Sequence, residues 1–311
     1  MSNIVFCLMG PTASGKTELA CELAERFLLE IISVDSAMIY RDMNIGTAKP
    51  NEKILARAPH GLINIIDPPA SYSAARFCED VSLLSQRIRG QGKIPLLVGG
   101  SMMYFRALQS GLSVLPEADE ALRAQLLQEA REHGWEHMHQ KLKCVDAVTA
   151  ARVHPNDAQR IQRALEIHHV MQQPWSDLLK KTKGASSDHF INLSLIPTER
   201  SWLHQRITLR FEQMLEQGFV DEVEGLLQKW QVTLEHPSMR CVGYRQVLLY
   251  LQGAYDHTCL IEKGTAATRQ LAKRQLTWLR HWPDAHVFAA ESSESRSEIM
   301  AFVQKVLDNL T

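Results

Sequence analysis

The run Gly10-Pro11-Thr12-Ala13-Ser14-Gly15-Lys16-Thr17 has the spacing G-x-x-x-x-G-K-[ST] of a phosphate-binding P-loop. Such a loop turns successive backbone N–H groups inward around an anion. It also sets a helix N-terminus, with its favourable dipole, beneath that anion. Lys16 would add a point charge, and the Thr17 hydroxyl a ligand for a magnesium ion. The expected ligand carries a diphosphate, and the motif leaves open whether it is a nucleotide.

Asp35 is the second chemistry-bearing position. It ends the apolar run Ile31-Ile32-Ser33-Val34 and so lies at the same rim as the loop. Its residue type suits a general base, a magnesium-associated carboxylate or a cap for the next turn. In many P-loop ATPases the strand equivalent to Ile94–Val98 ends in a magnesium-associated Asp. Here it ends in Gly99-Gly100-Ser101, which argues against a generic ATPase and leaves Asp35 as the nearest acid.

Cationic side chains recur further on. Arg200, Arg206 and Arg210 share one expected helix with the apolar Leu203, Ile207 and Met214. Arg269, Lys273, Arg274 and Arg280 follow on a helix expected over Thr265–His281, with Trp278 and Trp282 interleaved and no acid between them. Charges and aromatics in that mixture suit a phosphodiester backbone. Asn156 to Arg163 supplies a second basic edge through Arg160 and Arg163. His133, His137 and His139 have loose metal-ligand spacing, but no H-E-x-x-H is present and the segment is polar, so they are expected at the surface, and His168-His169 are expected to be structural.

The elements that must position these groups alternate over residues 1–112. Ile4 to Met9 is an apolar run of strand length, and Leu19, Leu23 and Phe27 recur at helical spacing after the loop. Strands are also expected at Ile31–Val34, Leu62–Ile66 and Ile94–Val98, with helices at Ser73–Arg89 and Tyr104–Leu108. This alternation predicts an α/β fold, a parallel sheet with helices on both faces and ligands beyond the strands' carboxyl ends. From 113 to 188 the strand signal gives way to helical periodicity. Residues 113–140 are acidic, and 141–184 hold eight Lys/Arg against four acids. That stretch reads as a helical insertion into a core formed by 1–112 and 189–311. A strand at His189–Ile196 returns, and the rest is mostly helical: Glu199–Gln217, Val220–Trp230, Tyr244–Leu251 and a last helix to Leu310 after a short strand at His286–Phe288.

The bulk properties bound the answer without choosing it. The chain has 311 residues, 45% hydrophobic and 22% charged, with a net charge of −1. That composition is of an ordinary globular protein, and the balance predicts no bulk attraction to nucleic acid. No apolar run approaches membrane-span length and no basic-then-apolar leader opens the chain, so a cytoplasmic protein is expected. The six cysteines never form C-x-x-C and read as reduced. Nothing demands a dimer, and a monomer is expected.

Taken in order, these stretches resemble the bacterial tRNA dimethylallyltransferases. The resemblance runs nearly end to end: Gly10–Thr17, Asp35-Ser36-Ala37-Met38-Ile39-Tyr40, Asp42 to Pro50, Asp67-Pro68, Tyr72-Ser73 and Val98–Ser101. It continues through Asn156-Asp157 with Gln159-Arg160-Ile161-Gln162-Arg163, then Arg240-Cys241-Val242-Gly243-Tyr244-Arg245. Lys273-Arg274-Gln275-Leu276-Thr277-Trp278-Leu279-Arg280 completes it. The chain departs from the family with Ser101 for the usual Thr, Met102-Met103 for Gly-Leu, and Gly61 for a second His.

The resemblance implies transfer of a dimethylallyl group from dimethylallyl diphosphate to the exocyclic amine of the adenosine 3′-adjacent to the anticodon. It implies that Gly10–Thr17 and Arg210 hold the diphosphate, with magnesium on Thr17 and Asp35 as the base. The tRNA anticodon stem-loop would meet Asp35–Met38, Ser101, Arg123, Gln159–Arg163, Arg240–Arg245 and Lys273–Arg280, with the insertion 113–188 contributing. A P-loop nucleoside kinase, or an RNA-binding module with a structural nucleotide, are the rival readings.

Overall fold

Ile4, Phe6 and Leu8 alternate onto one face of strand β1 (Ile4–Met9) and pack against Leu19, Ala20 and Leu23 of helix α1 (Lys16–Arg26). Burying each such leucine contributes about 1.5–3 kcal/mol. The computed structural model describes residues 3–309 other than 114, 117, 118, 180, 181, 184 and 185. After α1 the chain runs through β2 (Leu29–Val34), α2 (Glu52–Arg57), β3 (His60–Gly61), α3 (Ala74–Gly90), β4 (Ile94–Gly99) and α4 (Met102–Ser110). Next come β5 (Leu112–Ser113), α5 (Glu120–Val145), α6 (Ala147–Arg152), α7 (Ala158–Met171), α8 (Trp175–Leu178) and β6 (Thr182–Lys183). The last part holds β7 (His189–Ile196), α9 (Arg200–Glu216), α10 (Phe219–Trp230), a 3-10 turn at Ser238–Arg240, α11 (Tyr244–Leu251), α12 (His257–Leu279), β8 (Ala285–Ala289) and α13 (Ser293–Asp308).

The main sheet is parallel throughout, in the order β3-β2-β4-β1-β7-β8. It is the α/β architecture expected from the alternation. Ile299 and Val303 of α13 complete the apolar layer over α1. Gly99 is required where β4 meets β2, since a Cβ there would lie 2.0 Å from the Val34 carbonyl oxygen.

Contacts divide the chain into two compact units, Met1–Ala107 with Ser187–Thr311, and Leu108–Ser186. The smaller unit has its own core of Leu122, Leu126, Met138, Leu142, Ile161 and Leu165. Its α5 breaks at Gly134, whose φ of 81° and ψ of 162° are not helical. Asp146 is buried where α5 meets α6; it caps α6 through Thr149 N–H at 2.9 Å and also accepts from Ser176 N–H at 2.9 Å. Burial opposes its charge, yet these hydrogen bonds leave its carboxyl below the usual range.

Three expectations are corrected. Leu62–Ile66 is not a strand: Leu62 and Asn64 adopt left-handed φ of 62° and 56°, and only a Tyr40–Ile66 bridge survives beyond the two residues of β3. The insertion is not wholly helical, because β5 and β6 pair antiparallel where the chain enters and leaves it. Helix α12 begins at His257 rather than Thr265, since the Asp256 carboxylate caps it by accepting from Cys259 N–H at 2.8 Å. The expected end of the last helix at Leu310 lies outside the described residues.

Candidate active site

Between β1 and α1 the loop makes its turn through two left-handed residues, Ala13 at φ 65° and Gly15 at φ 90°. Gly15 stands just before the helix, where its positive φ carries no Cβ penalty. Gly10 is equally constrained, since a Cβ would sit 2.9 Å from the Leu195 carbonyl and 2.8 Å from Ser14 Oγ. Lys16 folds back over the loop, donating to the Pro11 carbonyl at 2.6 Å and to Ser14 Oγ at 3.4 Å. Burial, reinforced by Arg210, pulls its ammonium down to about 7, against an opposing pull from Asp35.

Helices α9 and α12 close over the loop from the far end of the sequence. Arg210 of α9 donates to Thr12 Oγ1, and Arg206, one turn earlier, donates from Nε to the Ala13 carbonyl at 2.8 Å. Arg206 is also stacked 4.9 Å over the Trp202 ring. Burial lowers the Arg210 guanidinium from its usual value while Asp35 opposes that shift. The two helices are joined by Leu203, Ile207, Ala272 and Leu276, so the arginines stand on a packed base.

Together these groups line a cavity of about 450 Å³ that includes Thr12–Glu18, Asp35, Thr47, Arg206, Arg210 and Gln275. Lys16, Arg206 and Arg210 line it beside Asp35, while the Glu18 carboxylate is paired with Arg296, and an anion is the complementary occupant. Thr17 lines the same cavity at the first turn of α1. Magnesium keeps several waters and takes one or two protein ligands beside substrate phosphates, so a lone hydroxyl fits it. No group of three or more His, Cys, Asp or Glu among the described residues would form a dedicated metal cage.

Asp35 sits just past β2, half-buried. Its Oδ1 accepts from Ala37 N–H at 2.8 Å and from Met38 N–H at 3.3 Å. The carboxylate is therefore a turn cap, one of the three roles its position allowed, and it also lines the cavity. Ser101 Oγ accepts from Ser36 N–H at 3.1 Å, so its hydroxyl ties the β4 end to the β2 end. Tyr104 and Cys241 are pushed up by burial and, further, by the Asp35 carboxylate, both to about 12. The Asp35 carboxylate thus faces undissociated groups.

The residues expected on RNA separate into two kinds. Lys273, Arg274, Thr277, Trp278 and Arg280 are exposed on α12. Arg106 of α4, not foreseen from the sequence, lies 5.5 Å over the exposed Trp278 ring. Leu276 and Leu279 are corrections: both are buried by the helix period and belong to the core. Gln275 is a third, turned to the P-loop rather than outward. In the 240–245 stretch Tyr244 is fully buried, while Arg240 and Arg245 are exposed. Cys241 and Val242 are partly buried, and Gly243 at φ 90° turns the chain into α11.

In the smaller unit Ile161 is fully buried and is likewise a core residue. Arg163 is only 25% exposed; it pairs with Glu166 at 3.1 Å and donates to the Pro116 carbonyl at 2.7 Å. Glu166 is fully buried and also takes the Asp119 N–H at 3.0 Å and Arg123 Nε at 3.3 Å. A buried carboxylate needs such partners, so Arg163 is held internally and Arg123 in part. Arg160 and Gln159 are the exposed members of that edge. His133 and His137 are exposed, but His139 is corrected to half-buried, its Nε2 3.0 Å from the Val153 carbonyl.

Sequence reasoning also missed His60. Its Nδ1 lies 2.6 Å from the Ala58 carbonyl, burial lowers its pKa against an opposing pull from that contact, and the residue lines the cavity from β3. Only the chain's fold brings it there, although a lone His before Gly61 was visible.

Comparison with known proteins follows the same lines. The family model described as IPP transferase matches residues 38–282, and one described as isopentenyl transferase matches residues 3–59. A tRNA dimethylallyltransferase of Legionella pneumophila (strain Corby) is 57% identical over 99% of both chains. One of Coxiella burnetii (strain RSA 331 / Henzerling II) is 51% identical over 97% of both. The crystal structure of the full-length tRNA isopentenylpyrophosphate transferase of Bacillus halodurans matches with a TM-score of 0.72 and 32% identity, covering 99% of this chain and 98% of that one. A eukaryotic dimethylallyltransferase acting on tRNA matches with a TM-score of 0.82 and 25% identity, covering 99% and 80%. The chain belongs to the IPP transferase family, the tRNA dimethylallyltransferases.

Proposed function

We propose that the cavity above the P-loop is where this tRNA prenyltransferase moves a dimethylallyl group from dimethylallyl diphosphate to the exocyclic amine of the adenosine 3′-adjacent to the anticodon. The diphosphate is the anion for which Lys16, Arg206, Arg210 and the N–H groups at the start of α1 are complementary. Thr17 would hold a magnesium ion, which would supply neutralisation of charge on the departing group. A nitrogen–carbon bond forms at the allylic carbon as its bond to the diphosphate oxygen breaks. The electron pair leaves with diphosphate, stabilised by the same cations.

The amine is a weak nucleophile, because its lone pair is delocalised into the adenine ring. Asp35 orients it and takes its proton as the new bond forms. Because the adenosine lies in a single-stranded loop, extruding it into the cavity costs only a few kcal/mol of unstacking, of the order seen for flipped bases. The exposed Lys273, Arg274 and Arg280, with Trp278, and Arg160 of the smaller unit, are assigned to the RNA backbone. The reading is of a monomer working in the cytoplasm; no helix among the described residues is long and apolar enough to cross a membrane.

The observation that carries this reading is that Asp35 shares one cavity with Lys16, Thr17 and Arg210. Its test is mass spectrometry of tRNA incubated with the protein, magnesium and dimethylallyl diphosphate. One added prenyl unit on the adenosine is expected. ATP turnover without a tRNA product, or tRNA binding without any product, would overturn it.

A further inference from the structure

One wall of the cavity belongs to the segment from Asn44 to Pro50, of which Thr47, Ala48 and Pro50 line the cavity. Some of its shape is local: Ala48 N–H donates to the Ile45 carbonyl at 2.9 Å, Thr47 Oγ1 to the Met43 carbonyl at 2.8 Å and Lys49 Nζ to the Tyr40 carbonyl at 2.8 Å. Ala48 has a left-handed φ of 52°, a costly conformation for a residue with a Cβ. A neighbouring element adds to these bonds and helps to over-determine it.

That element is α10. Glu222 Oε2 accepts from Asn44 N–H at 2.9 Å and Ile45 N–H at 2.7 Å, and Oε1 accepts from Gly46 N–H at 3.2 Å. Three consecutive amides thus converge on one carboxylate, the same device by which backbone nests hold anions. Its fourth donor is the Tyr244 hydroxyl, at 2.5 Å from Oε1. Tyr244 opens α11 and is fully buried, so its hydroxyl needs that acceptor.

The surroundings lock the same arrangement. A Cβ on Gly46 would lie 2.1 Å from the Phe219 ring, so the wall passes as close to α10 as a backbone can. Just before the wall, Asp42 accepts from Lys229 Nζ at 2.7 Å and Trp230 Nε1 at 2.8 Å, both at the other end of α10.

We propose that Glu222 is a positioning residue: its carboxylate fixes the 44–50 wall against the P-loop and ties it to the start of α11. The inference rests on the functional reading above, because the wall matters only if that cavity holds the prenyl diphosphate. Charge is essential to the role. In E222Q an amide group replaces one acceptor oxygen and meets N–H donors, leaving at least one of them unpaired.

The test compares the whole protein with E222Q by amide hydrogen exchange and by steady-state kinetics at a temperature where both are folded. Protection should fall at Asn44, Ile45 and Gly46 while β1 and β4 remain protected. The KM for dimethylallyl diphosphate should rise about tenfold, as for loss of one charge-assisted hydrogen bond, with the KM for tRNA changed less than about twofold. A merely structural role would lower the active fraction, and so apparent kcat, without moving either KM. Lost protection at an unchanged KM therefore overturns the inference. Wild-type protein that yields no prenylated tRNA overturns the functional reading and the inference together, which the wild-type control reads separately. Should E222Q fail to fold, Tyr244→Phe removes one of the four bonds without unpairing an amide. A rise of about twofold to fivefold in the prenyl diphosphate KM is then expected, and an unchanged value overturns the proposal.

Discussion

Gln275 joins the P-loop to the end of β4 through one side chain. Its Oε1 accepts from Thr12 N–H at 2.9 Å and its Nε2 donates to the Gly100 carbonyl at 2.9 Å, although it stands 263 positions after Thr12. The side chain is buried, so both backbone groups depend on it. Gln275→Ala leaves an amide and a carbonyl without partners, at about 1–3 kcal/mol each. The expected outcome is a lower melting temperature and an about tenfold weaker dimethylallyl diphosphate. Thermal unfolding and calorimetric titration of the variant check the two effects separately.

Lys16 should make diphosphate binding depend on pH. In the free protein burial holds its ammonium at about 7, below the ordinary 10.5. A bound diphosphate stabilises the charged form and raises that value, so binding takes up a proton once the pH exceeds about 7. Affinity is full below the free value and falls as the pH rises through it. The same shift means stability of the free protein rises with pH between about 7 and 10.5, where the unfolded chain holds the extra proton. Calorimetry in two buffers of different ionisation enthalpy should show little proton uptake at about pH 6 and clear uptake at about pH 8. Lys16→Arg, permanently charged, should abolish the uptake.

The loop, its flanking strand and helix, and the strand-end Asp35 were legible because each signal is local. A glycine-rich spacing, an apolar run and a 3.6-residue period occupy neighbouring positions. What the sequence concealed is long-range. Glu222 meets Asn44 across 178 residues and Gln275 meets Thr12 across 263, and nothing local marks either as a site residue. A basic run was visible at Asn156–Arg163, but the burial that turns Arg163 toward Glu166 was not. Likewise Leu62–Ile66 reads as a strand from its side chains, while its left-handed backbone at Leu62 and Asn64 is set by the Ile39 and Met38 carbonyls it must reach.

The exposed and the internal arginines should separate in salt titrations. Neutralising Lys273, Arg274 and Arg280 on α12, or Arg160 on the smaller unit, should weaken binding of every substrate tRNA. The salt dependence should become shallower by roughly 0.7–0.9 for each phosphate left without its cation. Arg163→Gln should instead destabilise the protein, since it strips a partner from the buried Glu166. Its tRNA salt slope should stay close to that of the wild type. Binding isotherms at several salt concentrations, with melting curves for each variant, distinguish the two behaviours.

The central claim is that Asp35 takes the proton of the attacking amine, and Asp35→Asn tests it most directly. Asparagine keeps an oxygen for the Ala37 and Met38 N–H groups, so the turn after β2 is preserved while the base is removed. The measurement is the single-turnover rate of tRNA prenylation at saturating tRNA and dimethylallyl diphosphate, alongside the tRNA affinity of the same variant. The account predicts unchanged tRNA affinity and a rate lower by about 10²–10⁴-fold. A rate near that of the wild type would contradict it and leave Asp35 as a cap alone.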